Sequence, residues 1–516
     1  MTADVINVNP FNGGSGGGGG TSDYPDLTNK PKINGVTLVG SMTPEQLGLE
    51  PASKACFGRY WNESMSQSKA TGYFGNLDFG KNLVANLGLG RYLVTDDRRY
   101  TKLNPQNSNQ DIAGNAVALD GTQGQCMWCW NEFYYGAWKE TISGVVYTFE
   151  VVSLLPTYQN HKLTRIPRGG LSWLNAGVWD ASGGKLCSLI SNDANYRGGG
   201  GSALNPATYT QLDADLPQCS FLGMPRTEKS LNAFSAAARL RGTGWEADWF
   251  VARAVLEILM RIYFGNRNSQ AAINANADSD GLPQGGLGAG VTEWSGGAWS
   301  SYNGYHPLIP NVFSIKDDED NDIGDFTGQK TYAIKDKDGQ TVYSAKVPFF
   351  AGLMNPFGHI WQFVNGLIVD IEVDGASKVY VTPSMYAAYD STTVADKIFA
   401  GNMARSGGWI KELIYDKLAM MPSKVGGSSS TYHGDELYTD PATYHGLKVR
   451  LAGGVACHGA GAGASYSSTN FSARLRLRLR SSPRLSAYLA MTRKSNKTKT
   501  RLQRIPFEGV RCRNFF

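Results

Sequence analysis

Cys126-Met127-Trp128-Cys129 is the one closely spaced cysteine pair in the chain, and such a pair can run redox chemistry or form half of a metal site. With no second CxxC, and with bulky Met127 and Trp128 between the sulfurs, buried free thiols are the preferred reading. The acidic run at 317–322 places Asp318, Asp320 and Asp322 at alternate positions, as part of a calcium loop does. Ile323 stands where an EF-hand needs glycine, and no suitably spaced glutamate follows. A solvated loop is preferred there, with calcium as the alternative. The six histidines, His161, His306, His359, His433, His445 and His458, show no HExxH or paired-ligand spacing. His433 and His445 flank Asp435 and Glu436 without completing a recognisable metal set. GxSxG, Walker and Rossmann patterns are absent, and the glycine-rich 285–290 lacks the Lys-Ser/Thr of a phosphate loop. The reading is a binding protein, not an enzyme, with no catalytic residue and no cofactor.

Residues 453–482 carry a different signal. Regular glycines and alanines alternate with Val455, Cys457, His458, Ser465, Tyr466, Ser468, Asn470 and Phe471, followed by Arg474, Leu475, Arg476, Leu477, Arg478, Leu479 and Arg480. A core strand would alternate consistently, and a linker would lack Phe, Tyr, Cys and His. The segment reads as a backbone of small residues carrying exchangeable side chains, and these fifteen residues are the candidate ligand-binding set. Tyr466, Phe471 and His458 are the best anchors, because aromatic rings supply contact area at low entropy cost. On a strand the arginines of 474–480 would share one face and the leucines the other. That stripe suits an anionic receptor, or is simply a solvated face. Every residue from Gly453 to Ser486 also has a codon ending in C or T, and Lys, Glu, Gln, Met and Trp are missing.

These residues need a scaffold. With 516 residues the chain is long enough for about three domains. Sixty-two glycines and 11% aromatics suggest a turn-rich fold pinned by aromatic anchors. The expected order is a flexible glycine-rich stretch over 1–22, an attachment element over 23–54, a β-rich aromatic domain over 55–225, a ligand-binding domain over 226–486 and a basic tail over 487–516. In the attachment element Asn34-Gly35 marks a tight hairpin turn, and Thr43-Pro44 a helix start. Apolar residues at Trp249, Ala252, Leu256, Leu259 and Tyr263 predict a helix over 245–264, stopped by Gly265 and buried against a sheet. A second helix is expected over 408–418, and a strand over 366–373. Net charge is +5, much of it in 474–504; a solvated tail is preferred over a nucleic-acid contact. No export signal and no membrane insertion are expected, and seven scattered cysteines argue against a disulfide scaffold.

Two resemblances bear on function. The stretch Leu27-Thr28-Asn29-Lys30-Pro31-Lys32-Ile33-Asn34-Gly35, ending at Leu38, resembles an "LTNKPxINGxxL" element of phage tail-fibre and baseplate proteins. Residues 453–482 resemble the variable region of diversity-generating retroelement target proteins, especially those of phages of gut Bacteroides-type bacteria. Gly453, Gly454, Gly459, Ala462 and Gly463 match its fixed positions, and Ser482-Pro483-Arg484-Leu485 matches its ending. Trp409, Tyr438, Gly446 and Arg450 look like framework of the same domain. The resemblance implies an α+β chain whose C-terminal domain is C-type-lectin-like, of the formylglycine-generating-enzyme type. It further implies a virion protein, attached to other tail proteins through its N-terminus as a homotrimer, that binds a bacterial surface receptor, protein or glycan. The alternatives are a formylglycine-generating-type enzyme, whose cysteine pair is reduced here to Cys457 and Cys512, and a bacterial cell-surface adhesin. The tail over 487–516 has no counterpart in that family.

Overall fold

Strand dominates the architecture. The computed structural model describes residues 32–33, 36–37, 54–179, 184–190, 230–273, 314–316, 321–335, 341–385, 391–454, 456–471, 481–482 and 484–488, of which 47% are strand and 14% helix. The expected α+β organisation with a C-type-lectin-like domain is therefore corrected to a mostly β architecture. Part of the reason lies at 408–418. Ile410, Leu413 and Ile414 have helical spacing, yet Gly408–Ile414 is a strand followed by a short 3-10 turn, Asp416–Leu418. The register shift between Ile410 and Glu412 adds one residue to this strand, and the shift between Glu412 and Leu413 adds one to its partner, Met421–Val425. Such bulges put apolar side chains three apart on one face.

Three large sheets organise the chain. An antiparallel five-strand sheet runs in the order Thr164–Ile166, Phe133–Ile142, Val145–Ser153, Cys56–Asn62, Gly72–Gly75. A seven-strand sheet follows the order Trp245–Ala247, Leu485–Tyr488, Gly169–Ser172, Gln125–Trp130, Gly90–Val94, Tyr100–Asn104, Asn107–Asp111. Its second strand comes from the far end of the described chain, across the boundary expected at 225/226. The third sheet has an eight-strand path: Ile398–Met403, Ser377–Val381, Trp361–Ile371, Gly446–Gly453, Gly463–Phe471, Glu436–Tyr438, Gly408–Ile414, Met421–Val425. It curls nearly into a barrel, and the Ala404 N–H donates to the Pro422 carbonyl at 3.0 Å across the gap.

Local expectations fare better where one element decides them. Lys32–Ile33 pairs antiparallel with Val36–Thr37 around the two-residue turn Asn34-Gly35. Cys126 and Cys129 are free, buried thiols on Gln125–Trp130. Three residues apart on a strand, they face opposite sides and join different apolar clusters, so they cannot share a metal or a bond. The helix start at Thr43, the glycine-rich 285–290 and most of the acidic run, 317–320, lie outside the described residues. Asp322, from the end of that run, pairs with Lys316 at 2.8 Å. Among the described residues no helix is long and apolar enough to cross a membrane.

The helix expected over 245–264 begins later, as Phe250–Phe264, after the short strand Trp245–Ala247, and Gly265 ends it at φ 59°. Nearly every residue of it is buried, including Arg253, Glu257 and Arg261 at successive four-residue steps. Each charge bonds outward. Arg253 donates to the Gln362 side chain at 2.9 Å, and Arg450 donates to Glu257 at 2.8 Å. Arg261 pairs with Glu150 at 2.9 Å. One face of the helix thus ties the barrel-like sheet, through Gln362 and Arg450, to the five-strand sheet, through Glu150.

Just before this helix, Asp248 is fully buried at φ 30°, and neither carboxylate oxygen has a hydrogen-bond partner. Lost hydration pushes its pKa up from 3.8 to about 6, against the opposing pull of Arg253, Arg484 and Arg450. The folded chain therefore binds this proton more tightly than the unfolded chain. Stability from the group is complete below about pH 4 and is lost as pH rises through about 6, by on the order of 3 kcal/mol. Asp248→Asn is expected to gain on wild type across that window, measured by urea unfolding at about pH 4 and about pH 7. An unchanged difference between the two proteins would refute the assignment.

Candidate ligand-binding site

The segment singled out in the sequence leaves the barrel-like sheet at Gly453, makes a 3-10 turn over Ala456–Gly461 and re-enters as Gly463–Phe471. Gly453 and Gly454 have φ of 85° and 71°, a left-handed pair that ordinary residues resist. A Cβ on Gly454 would also meet the Ala462 methyl at 2.9 Å. Small residues here are thus a steric requirement of the turn.

Side chains from outside the segment fix its backbone. The Gln270 amide donates to the carbonyls of Gly459 at 3.2 Å, Ala460 at 3.0 Å and Ala462. Ser269 accepts the Ala464 N–H at 2.9 Å, and Asp435 accepts the Ser465 N–H at 2.8 Å. Arg450 donates to the Ser467 hydroxyl at 2.9 Å and to the Ser465 carbonyl. Burial drives the Asp435 carboxyl well above its usual range, opposed by the Ser465 N–H. Gly463 lies against it, and a Cβ there would overlap Asp435 Oδ1.

The fifteen candidate residues fall into three groups. Ser465, Tyr466, Ser468 and Asn470 are 1–6% exposed, on a strand covered on both faces, so they do not form an open surface within this chain. His458 and Phe471 are half-buried. Val455, Arg474, Leu475, Arg476, Leu477, Arg478, Leu479 and Arg480 lie outside the described residues, and Cys457 is described only as part of the 3-10 turn. The three aromatic anchors do converge. His458 stacks on Tyr466 with centroids 4.9 Å apart. Trp361 meets His458 at 5.4 Å and Phe471 at 6.0 Å.

Trp361 was not among the sequence candidates, although the strand it opens was partly foreseen. Its strand also pairs, in parallel, with Ser481–Ser482, Trp361 opposite Ser481. Gln270 and Ser269 gave no sequence signal, and Asp435 stood out only beside His433, because their partners here are carbonyls and N–H groups as far as 195 residues away. His433 is fully buried with neither ring nitrogen hydrogen-bonded, and among the described residues no group of three potential ligands is assembled. No known family model matches the chain, and no curated protein does.

Proposed function

We propose that the protein is a receptor-binding protein of the phage tail-fibre kind, and that it engages a bacterial surface molecule through the turn over 455–460, the Trp361–Phe471 aromatic cluster and the basic stretch over 474–480. One observation carries this reading: the backbone of 453–465 is held by Gln270, Ser269 and Asp435, all from outside it. A turn fixed from outside keeps its shape when its own side chains change, which is the condition for a diversified binding surface. Binding energy then concentrates in a few aromatic and arginine side chains. Assembly as a homotrimer in the tail multiplies weak single-site affinity by avidity. The tail-fibre resemblance near residues 27–38 supports the virion location and N-terminal attachment.

Replacing Val455, Cys457 and His458 together by alanine is expected to weaken attachment of the labelled protein to intact gut Bacteroides-type cells by about thirtyfold. Unfolding free energy should move by less than it does in Gln270→Ala, because Gln270, Ser269 and Asp435, which hold the turn's backbone, all stay in place. Gln270→Ala should instead lower stability, removing a donor from three carbonyls. Cell binding that survives the triple substitution unchanged, or a stability loss as large as that of Gln270→Ala, would refute the proposal.

A further inference from the structure

The outer face of the barrel-like sheet carries a carboxylate without a partner, beside the turn over 455–460. Glu436 and Tyr438 stand two residues apart on one strand, and Trp409 is the register partner of Glu436 on Gly408–Ile414. Leu437 and Ile410, which alternate with them, belong to the core. Side chains alternate across a strand, so Trp409, Glu436 and Tyr438 share the face turned away from that core. Tyr438 is 59% exposed, and Trp409 and Glu436 are half-buried.

Glycines border the carboxylate. Gly407 is exposed, and a Cβ there would come within 3.1 Å of the Leu437 carbonyl, which sets Gly407 beside the Glu436–Tyr438 strand. On the other side the Glu436 carboxylate leans over Gly461, where a Cβ would overlap its Oε2. Both carboxylate oxygens reach solvent, and among the described residues none hydrogen-bonds or pairs with them. Partial burial raises the carboxyl above its ordinary value, with no cation opposing it. The basic side chains of the neighbouring strands are committed elsewhere. Lys411 sits 5.1 Å over the Tyr432 ring, and Lys424 donates to Glu412 at 2.9 Å. A carboxylate that has lost water and gained no counter-charge is stabilised most by a cation, and aromatic rings attract cations as well.

We propose that this face binds an organic ammonium group of the receptor, held by the Glu436 carboxylate with Trp409 and Tyr438 flanking it, an inference that rests on the receptor-binding reading. A neutral sugar needs several polar partners and would find one carboxylate here, while an anion would be repelled by it. Lysine side chains, amino sugars and quaternary ammonium headgroups all present the required group.

Saturation-transfer NMR of the full chain with choline, Nα-acetyl-lysine methylamide and glucosamine tests it, with N-acetylglucosamine as the uncharged control. At least one ammonium probe should bind saturably, and the strongest of the three identifies the source of the group. Glu436→Gln should weaken that probe by about tenfold and Tyr438→Ala by about threefold. The unfolding transition should stay in place in both variants, since both side chains reach solvent. Glu436→Gln should also weaken attachment to cells. No saturable binding by any ammonium probe, equal binding by N-acetylglucosamine, or undiminished probe binding in Glu436→Gln would overturn the proposal. Cell attachment unchanged in a Glu436→Gln protein that has lost the probe would overturn the assignment to the receptor. If the triple substitution at 455, 457 and 458 leaves cell attachment unchanged while the probe still binds, the turn's role falls and the chemistry of this site stands.

Discussion

Glu257→Ala is expected to cost on the order of 3–5 kcal/mol of unfolding free energy, among the largest losses any single truncation should produce in this chain. Glu257 and Arg450 have side chains no more than 1% exposed, 2.8 Å apart. Arg261 lies a further step along the same helix, at 4.0 Å. Removing the carboxylate leaves the Arg450 guanidinium buried without its counter-charge, and that stranded charge dominates the cost, not the pair's own attraction. The effect should reach the binding segment, because Arg450 also holds Ser465 and Ser467. Replacing both partners, Glu257→Leu with Arg450→Met, is expected to recover most of the loss. Chemical unfolding of the two singles and the double closes the cycle. A double variant as unstable as the sum of the singles would show that the pair is not the seat of the effect.

Gly463→Ala should destabilise by about 1–3 kcal/mol although it adds one methyl. The methyl would overlap Asp435 Oδ1, and Asp435 is fully buried with its other oxygen on the Ser465 N–H. Relief requires the carboxyl to swing away, which breaks that bond, or the strand to shift off Gly446–Gly453. By contrast Ala460→Ser, in the half-buried turn three residues earlier, should stay within about 0.5 kcal/mol. Thermal unfolding of both variants reads the contrast. Equal, small effects would mean that Asp435 yields freely and does not fix the strand.

What the sequence showed was decided at short range. The helix at Phe250–Phe264 announces itself through apolar residues at three- and four-residue steps and a glycine stop, and the Asn34-Gly35 hairpin through its turn residues. Even so, Arg253, Glu257 and Arg261 gave no hint that their face would be buried, since their partners are supplied by sheets more than 100 residues away. The strand Gly408–Ile414 was misread because bulges disguise its alternation as a helical period. The α+β expectation rested on a resemblance in the 453–482 segment. Curling of the eight-strand path is set by which strands pair, and no single strand encodes that. Within the site, the need for small residues at the turn was legible. Burial of Ser465, Ser468 and Asn470 was not, because their strand is paired on both edges by segments that look unremarkable alone.

The strand Leu485–Tyr488 completes a sheet begun far earlier, seated between Gly169–Ser172 and Trp245–Ala247, and the bond from its first N–H to the Ser172 hydroxyl spans 313 positions. A contact of that separation carries a large loop-closure cost before it returns anything, so it forms late. On the ribosome, the seven-strand sheet stays open until everything through residue 488 has been made, the 453–482 segment included. A frameshift or stop arising within that segment deletes the closing strand, leaving the edges of Gly169–Ser172 and Trp245–Ala247 unpaired, a state prone to aggregation and disposal. Substitutions that keep the reading frame pass through to a closed sheet.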